Sequence, residues 1–143
     1  MNRSKIVATA RRWCGTPFHT RAALKGVGCD CLGLVRGIFS EVYGRDPEPV
    51  PAYAIDWAEA ERSERLIDGL NRHLTPIPPA AARTGDVLVF RWREGLPATH
   101  LGVVTAASRM IHTHRRLCVC EVALVPAWRR RIAAAFSFPG LTD

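Results

Sequence analysis

The sequence predicts an α+β domain, and three observations lead to that fold class. Apolar residues recur at helical spacing in the first half of the chain and alternate with a period of two after about residue 85. A proline- and alanine-rich segment, "TPIPPAAARTG" at 75–85, separates the two patterns. Helices followed by short antiparallel strands are typical of α+β proteins. With 143 residues, 48% of them hydrophobic, the chain is expected to form one domain over 1–143.

The first two helices are predicted from apolar residues spaced three and four apart. The first should cover 4–14 and end at Gly15. The second should cover 31–43, where apolar residues occupy most of the helix circumference, and should end at Gly44. This second helix is expected to be central and largely buried.

The middle of the chain predicts a connector and a polar helix. "GRDPEPVPAY" contains three prolines and reads as an extended connector. From Asp56, with Glu59 three residues later in a capping-box-like pair, a polar helix should run to about His73. Leu66, Ile67 and Leu70 would face the core.

The second half of the chain predicts about five short strands in an antiparallel meander. Each predicted strand is rich in β-branched or aromatic residues, and turns are expected at 106–108 and 114–116. The predicted strands are 86–92, 100–105, 109–113, 117–122 and 132–138.

Two Cys-x-Cys pairs stand out among five cysteines, namely Cys29 with Cys31 and Cys118 with Cys120. An odd number of cysteines without an export signal argues against a disulfide framework and leaves free thiols, a metal site or catalysis. A structural zinc site prefers Cys-x₂₋₄-Cys spacing on turns, so zinc is the minor alternative. The second pair lies in a predicted strand, where both side chains would be small buried hydrophobes.

Cys31 is the candidate nucleophile because it opens the second helix. Asp30 is a good N-cap that can accept the amide of Gly33, and Gly28 allows a sharp turn into the helix. Amides and the dipole at a helix N-terminus stabilise a thiolate, lower the thiol pKa and can bind an oxyanion. The local sequence alone leaves catalysis and ordinary packing open.

A thiolate nucleophile needs a base and a group that orients the base. His100 opens one predicted strand, and His112 and His114 follow on one face of the next. A short turn between these strands would place His112 close to His100. Gly102 would leave room on that face for a substrate or another backbone.

The charge pattern by itself excludes few classes of function. The net charge is +7, with 18 Arg and 2 Lys, and favours polyanionic partners. The one clear basic cluster is Arg129-Arg130-Arg131. The N-terminal "MNRSKIVATARRW" interleaves basic and apolar residues, and no apolar run is long enough to span a membrane. The chain is therefore expected to be made in the cytoplasm without a signal peptide.

Four segments together resemble the NlpC-type cell-wall peptidases, which are papain-like cysteine enzymes. "GCDCLGLVRGIF" resembles their Asp-Cys-Ser-Gly-Leu nucleophile motif, with Leu32 in place of the serine. "RTGDVLVF" resembles their Pro-Gly-Asp-Leu-Val-Phe strand, "THLGVV" their His-Val-Gly-Ile strand, and "RMIHT" the strand that ends in a second histidine. The order and spacing agree over residues 5–138.

The sequence is most similar to the branch of this family found in tailed phages and gene transfer agents. That likeness lies in "ARRWCGTPF", "LKGVGCDCLGLVRG", "DWAEA", "VFRW" and "WRRRIAAAFSFPG". The resemblance implies a papain-like fold with N-terminal helices packed on an antiparallel sheet of about five strands. It also implies Cys31 as the nucleophile, His100 as the base and His112 as the residue that orients it.

The resemblance further implies a substrate and a place of action. The substrate would be a peptidoglycan stem peptide, cut at the bond between D-γ-glutamate and a diamino acid. Phe18, which replaces a family tyrosine, His19 and Asp30 would contact it. The enzyme would join a phage-tail-like particle, contact tail or hub proteins and act at the recipient cell wall in the periplasm. No metal, cofactor, nucleic acid or membrane is expected as a partner.

Two alternatives stay open at this point. One is a structural tail component that keeps the fold but has lost activity. The other is a zinc-binding or nucleic-acid-binding module, which would show bound metal or a steep salt dependence of DNA binding.

Overall fold

The computed structural model describes residues 1–47 and 64–143. It confirms the α+β class, with the first two helices packed on one face of an antiparallel sheet. Helix α1 spans Arg3–Arg12 and is capped by the Asn2 side chain, which accepts the amide of Lys5. Helix α2 spans Cys31–Tyr43, and helix α3 spans Arg65–His73.

Helix α2 is the central helix that the apolar pattern predicts. It ends at Gly44, whose φ of 74° closes the helix in the left-handed conformation that glycine adopts without strain. Trp13, at the end of α1, packs where a side chain at Gly37 would otherwise stand, and its indole N–H donates to Glu41. The first two helices are therefore locked together by one buried tryptophan.

A two-stranded hairpin and a six-stranded sheet make up the β structure of the described residues. The hairpin pairs β1 (Ala23–Leu24) with β2 (Gly28–Cys29), directly before α2. The sheet has the order β3-β8-β4-β5-β6-β7. Its strands are β3 (Thr75–Ile77), β4 (Val87–Phe90), β5 (His100–Ala106), β6 (Arg109–His112), β7 (Cys120–Ala123) and β8 (Ile132–Ser137).

The sheet order corrects the predicted meander in one respect. Strands β4 to β7 follow one another as antiparallel neighbours, but β8 returns past them to pair with β4 and β3. The pairing of β3 was not predicted, because "TPI" carries a proline and lies at the sheet edge, where a missing amide is tolerated. A short helix α4, Pro126–Arg129, precedes β8 and was also not predicted.

The two faces of the sheet pack against different partners. Side chains on the helical face, including Val89, Leu101 and Val103, join the larger core cluster with α1 and α2. Side chains on the opposite face, including Leu88, Phe90 and Met110, join a smaller cluster that Trp128 of α4 covers. We call these the helical face and the outer face of the sheet.

Two predictions change in the structure. The polar helix begins at Arg65, after the non-helical Glu64, and its expected start at Asp56 with Glu59 lies outside the described residues.

Cys118 and Cys120 are not buried hydrophobes: Cys118 is exposed and Cys120 half-buried. The reason is register, because Val119 between them takes the buried position, and β7 lies at the sheet edge. Across the described residues, none of the helices is long and apolar enough to span a membrane.

Candidate active site

Cys31 occupies the first turn of α2, as the sequence predicts, and the cap is built as expected. The Asp30 carboxylate accepts the amide of Gly33 at 2.7 Å and, through its second oxygen, the amide of Arg21 at 2.7 Å. A Cβ at Gly33 would overlap the Ala22 carbonyl oxygen, so only glycine lets the helix start pack this closely against the preceding loop. Asp30 thereby fixes both the helix start and the loop that leads to it.

The Cys31 thiol lies against the strand that carries His100. Its Sγ is 3.7 Å from the carbonyl oxygen of Thr99, which belongs to the peptide bond joining Thr99 to His100. The side-chain hydroxyl of Thr99 is buried and has no hydrogen-bond partner among the described residues. The packing of α2 on β5 therefore brings the thiol to the backbone directly beside His100.

The pKa of the Cys31 thiol differs from the sequence prediction. Burial, and to a smaller extent the negative charge of Asp30, raise it to about 12, although the amides of Leu101, Leu32 and Cys31 act in the lowering direction. The helix N-terminus thus acts in the predicted direction, but loss of solvation outweighs it. The thiol is neutral in this structure, where only 5% of Cys31 is exposed.

His100 and His112 are brought together as the strand pairing predicts. The Nε2 atom of His100 lies 2.9 Å from Nδ1 of His112, across the β5–β6 pair in which Gly102 is opposite His112. Both residues are buried. Burial lowers the pKa of His100 to about 3, and burial with the nearby His114 lowers that of His112 to about 4. Both imidazoles are therefore neutral near pH 7.

The structure separates His112 from His114, which the sequence did not. His114 follows β6, and its ring centroid lies 5.9 Å from that of His100, with no nitrogen-to-nitrogen hydrogen bond between them in the described chain. Within residues 1–47 and 64–143, only His112 has a hydrogen bond to the His100 ring. His112 is therefore the histidine placed to orient His100.

Aromatic rings enclose His100 on the outer face, and these residues were missed by the sequence analysis. Trp128 stacks on His100 with ring centroids 5.3 Å apart and planes at 23°, and Trp92 lies at 5.3 Å. Phe90 is the direct cross-strand partner of His100. The signal available in the sequence was the period of two that puts Phe90 and Trp92 on one side of the chain. Trp128 opens the segment "WRRRIAAAFSFPG" that resembles the phage branch, but its place beside His100 was not indicated, because α4 was not predicted.

The three residues expected at the substrate lie before the thiol in sequence. Phe18 is half-buried and forms an isolated bridge with Cys29, and the exposed His19 donates its backbone amide to the Cys29 carbonyl. The His19 side chain also packs where a Cβ on Gly28 would stand, so Gly28 permits a close approach and not the sharp turn that was predicted. Each oxygen of Asp30 accepts a backbone amide, so the carboxylate acts as a helix cap, and its predicted contact with a substrate stays a prediction.

Of the other four cysteines, one is buried and three lie at or near the surface. Cys29 is fully buried, and burial raises the pKa of its thiol to about 12. Cys14, Cys118 and Cys120 lie at the surface or half-buried near it. All five cysteines are free thiols. Within residues 1–47 and 64–143, no group of three or more His, Cys, Asp or Glu side chains is placed to hold a metal ion.

The space beside Gly102 was expected to hold a substrate or another backbone, but a side chain fills it. The Sδ atom of Met110 fills the space that a side chain at this position would take. This space belongs to the small cluster on the outer face and is closed to a substrate.

The fold defines the class of protein. It is the fold of NlpC/p60 domains: the NlpC/p60 domain of the peptidoglycan hydrolase SagA superposes with a TM-score of 0.69 at 22% identity, covering 96% of this chain and 100% of that one. An NlpC/P60 family protein from Bacillus cereus gives 0.67 at 18% identity over 96% of this chain and 40% of its own. NlpC2 from Trichomonas vaginalis gives 0.68 at 14%, over 96% and 46%.

Sequence comparison then gives the particular family. Residues 3–130 match the family described as a domain of unknown function, DUF6950, and the chain belongs to it. Curated proteins give no sequence match. The chain spans the full SagA domain but less than half the length of the Bacillus cereus and Trichomonas vaginalis proteins.

Proposed function

We propose that this chain is a cysteine peptidase that cleaves the stem peptides of peptidoglycan. The observation that carries the proposal is the 2.9 Å hydrogen bond between His100 and His112, with Sγ of Cys31, at the capped N-terminus of α2, lying 3.7 Å from the carbonyl oxygen of the residue before His100. A nucleophile, a base and an orienting group are the parts that acyl transfer requires. The fold shared with the SagA domain, which is named a peptidoglycan hydrolase, supports the substrate class.

The His100–His112 contact fixes which tautomer can act as a base. For His100 to accept a proton from the thiol at Nδ1, its other nitrogen, Nε2, must carry the hydrogen and donate it to Nδ1 of His112. His112 then carries its own hydrogen on Nε2. Because the pKa of His112 is lowered to about 4, it stays neutral and remains an acceptor.

The thiol and imidazole start as a neutral pair, so the proton must move when the substrate arrives. As Sγ of Cys31 attacks the peptide carbonyl carbon, its proton passes to Nδ1 of His100. The imidazolium that forms is stabilised by the hydrogen bond to His112 and by the face of the Trp128 ring. The site therefore places its stabilising groups around the charge that develops during the reaction.

The first-turn amides of α2 are suited to the negative charge on the other side of the reaction. The backbone N–H groups of Cys31 and Leu32 both lower the pKa of the thiol. A carbonyl carbon bonded to Sγ would bring its oxygen within reach of this helix end. Collapse of the tetrahedral intermediate breaks the C–N bond, and His100 gives its proton to the leaving amine. Water then hydrolyses the thioester and restores the thiol.

We also propose the finer points that the sequence resemblance implies. The bond cleaved is the one between D-γ-glutamate and a diamino acid, and the protein works as a component of a phage-tail-like or gene transfer agent particle. It is made in the cytoplasm and reaches the wall of the recipient cell in that particle. The similarity of the quoted segments to the phage branch supports this part of the proposal.

Digestion of purified peptidoglycan by the wild-type protein and by Cys31→Ala tests the function. We expect new stem-peptide fragments, read by mass spectrometry of the released muropeptides, from the wild type alone. The masses of the fragments identify the bond. Cys118→Ala is the matched control, because it removes an exposed thiol outside the site and should cleave like the wild type.

Two outcomes would contradict the proposal. Absence of fragments from either protein, under reducing conditions and across pH 5 to 9, would favour an inactive tail component of the same fold. Equal cleavage by Cys31→Ala would exclude Cys31 as the nucleophile. The particle is tested separately by purifying virions and probing them for the protein with an antibody.

A further inference from the structure

An arginine-lined pocket lies beside the aromatic wall of the candidate active site. It encloses about 490 Å³ between the segment after β4 and the end of α4. Its lining consists of Arg91, Trp92, Arg93, Glu94, Arg130, Arg131 and Ile132. Four guanidinium groups against one carboxylate give the lining a clear positive charge.

The four arginines do not have the same role. Arg91 donates to the Glu64 carboxylate and to the Leu96 carbonyl, and Arg131 donates to the carbonyls of Trp92 and Ala127. These two arginines hold the walls of the pocket together. Among residues 1–47 and 64–143, the guanidinium groups of Arg93 and Arg130 have neither a hydrogen-bond nor an ion-pair partner. They are available for a ligand.

Trp92 connects this pocket to the catalytic groups. Its ring lines the pocket and also lies 5.3 Å, centroid to centroid, from the ring of His100. A ligand bound against Trp92 would therefore sit on the far side of one ring from His100.

We propose that this pocket is a substrate subsite that binds a free carboxylate of the stem peptide through Arg93 and Arg130. The inference rests on the proposed function. Guanidinium groups bind carboxylates through paired, charge-assisted hydrogen bonds. Glu94 also lines the pocket. Its carboxylate would repel any negative charge on the substrate beyond the two charges that Arg93 and Arg130 neutralise.

Binding of a γ-glutamyl–diamino acid peptide to the Cys31→Ala protein tests this subsite without requiring hydrolysis. Titration calorimetry would compare the peptide with free carboxylates and the same peptide with carboxamides. We expect Arg93→Gln with Arg130→Gln to weaken binding of the carboxylate peptide by roughly tenfold or more. Binding of the carboxamide peptide should not change. Arg129→Gln is the matched control, because Arg129 donates to Ala107 and Ser108 away from the pocket.

The outcomes separate this inference from the proposed function. Arginine-dependent binding by a protein that cleaves no peptide would keep the subsite and overturn the peptidase. Cleavage with equal KM for carboxylate and carboxamide peptides, unchanged in the double variant, would keep the peptidase and overturn the subsite. A lack of binding, or equal weakening by Arg129→Gln at unchanged Tm, would also overturn it. Competition by inorganic phosphate as strong as that of the peptide would show a general anion site and not a carboxylate subsite.

Discussion

The helical face and the outer face of the sheet contribute to the site in different ways. On the helical face, Cys31 belongs to the larger core cluster, and its position follows from a capped helix packed on β5. On the outer face, His100 and His112 lie against the smaller cluster, covered by Trp128 from a helix of only four residues. The contrast teaches that the thiol is fixed by the fold as a whole, whereas the histidines are fixed by a few local contacts.

If this contrast holds, substitutions on the outer face should reduce activity far more than stability. His112→Ala removes the acceptor for Nε2 of His100 and should lower kcat by roughly 10²- to 10⁴-fold, the usual contribution of acid–base catalysis. His114→Ala removes a ring that has no hydrogen bond to His100, so it should lower kcat by no more than a few-fold. The measurement is kcat on a stem-peptide substrate, with Tm measured alongside. Equal losses in the two variants would remove the distinction between the histidines.

Substitution of the helix cap, in contrast, should reduce stability more than activity. Asp30→Ala leaves the amides of Gly33 and Arg21 without their acceptors and should lower the free energy of unfolding by about 2 to 4 kcal/mol. Asp30→Asn keeps one acceptor oxygen and should lose about half as much. Urea unfolding measures both. A cap variant of wild-type stability would mean that α2 is held by packing alone.

Acid should destabilise the protein through the buried histidines. Their pKa values in the folded protein, about 3 and about 4, lie below the ordinary 6.5, so between these values the unfolded chain binds more protons. The stability that the two neutral histidines contribute is therefore present above pH 6.5 and is lost as the pH falls below it. Between pH 7 and pH 5 the loss should be about 2 kcal/mol for each histidine.

The variant His112→Gln identifies the source of that pH dependence. It removes one titrating group while keeping an acceptor near His100, so the loss between pH 7 and pH 5 should shrink by about half. Urea unfolding at both pH values gives the comparison. An unchanged loss would assign the acid sensitivity to groups other than this pair.

The stacking of Trp128 on His100 should have an intermediate effect. Trp128→Leu keeps apolar cover over the outer face but removes the aromatic face, which contributes about 0.5 to 1.5 kcal/mol in such pairs. We expect kcat to fall by roughly three- to tenfold and its pH profile to shift, since the imidazolium loses a stabilising neighbour. Trp128→Phe should restore most of the loss. A fall in Tm without a change in the pH profile would reduce Trp128 to a packing role.

The smallest effect is expected at Thr99, where the two faces meet. Its hydroxyl is buried without a partner among the described residues, so Thr99→Val should leave the free energy of unfolding unchanged or raise it by about 1 kcal/mol. Urea unfolding checks this. A clear loss of stability would show that the hydroxyl has a partner, such as an ordered water.

The elements predicted well are those whose residues carry the signal locally. Helix α2 was predicted over its full range because Asp30 caps it, Gly44 ends it and apolar residues fill its turns. The neighbouring positions of His100 and His112 followed from a short turn between antiparallel strands. The return of β8 to the other side of β4 depends on contacts distant in sequence, and the four-residue helix carrying Trp128 is too short to leave a periodic signal.

The sequence by itself determined the α+β class, the position of Cys31 at a capped helix start and the histidines that follow it. These features depend on short-range hydrogen bonds and on the periodicity of side chains. Only the tertiary structure decided the charge state of the thiol, since burial outweighs the helix amides and raises its pKa to about 12. It also chose His112 over His114 and formed the arginine pocket beside Trp92, because these features arise where strands and loops far apart in sequence pack together.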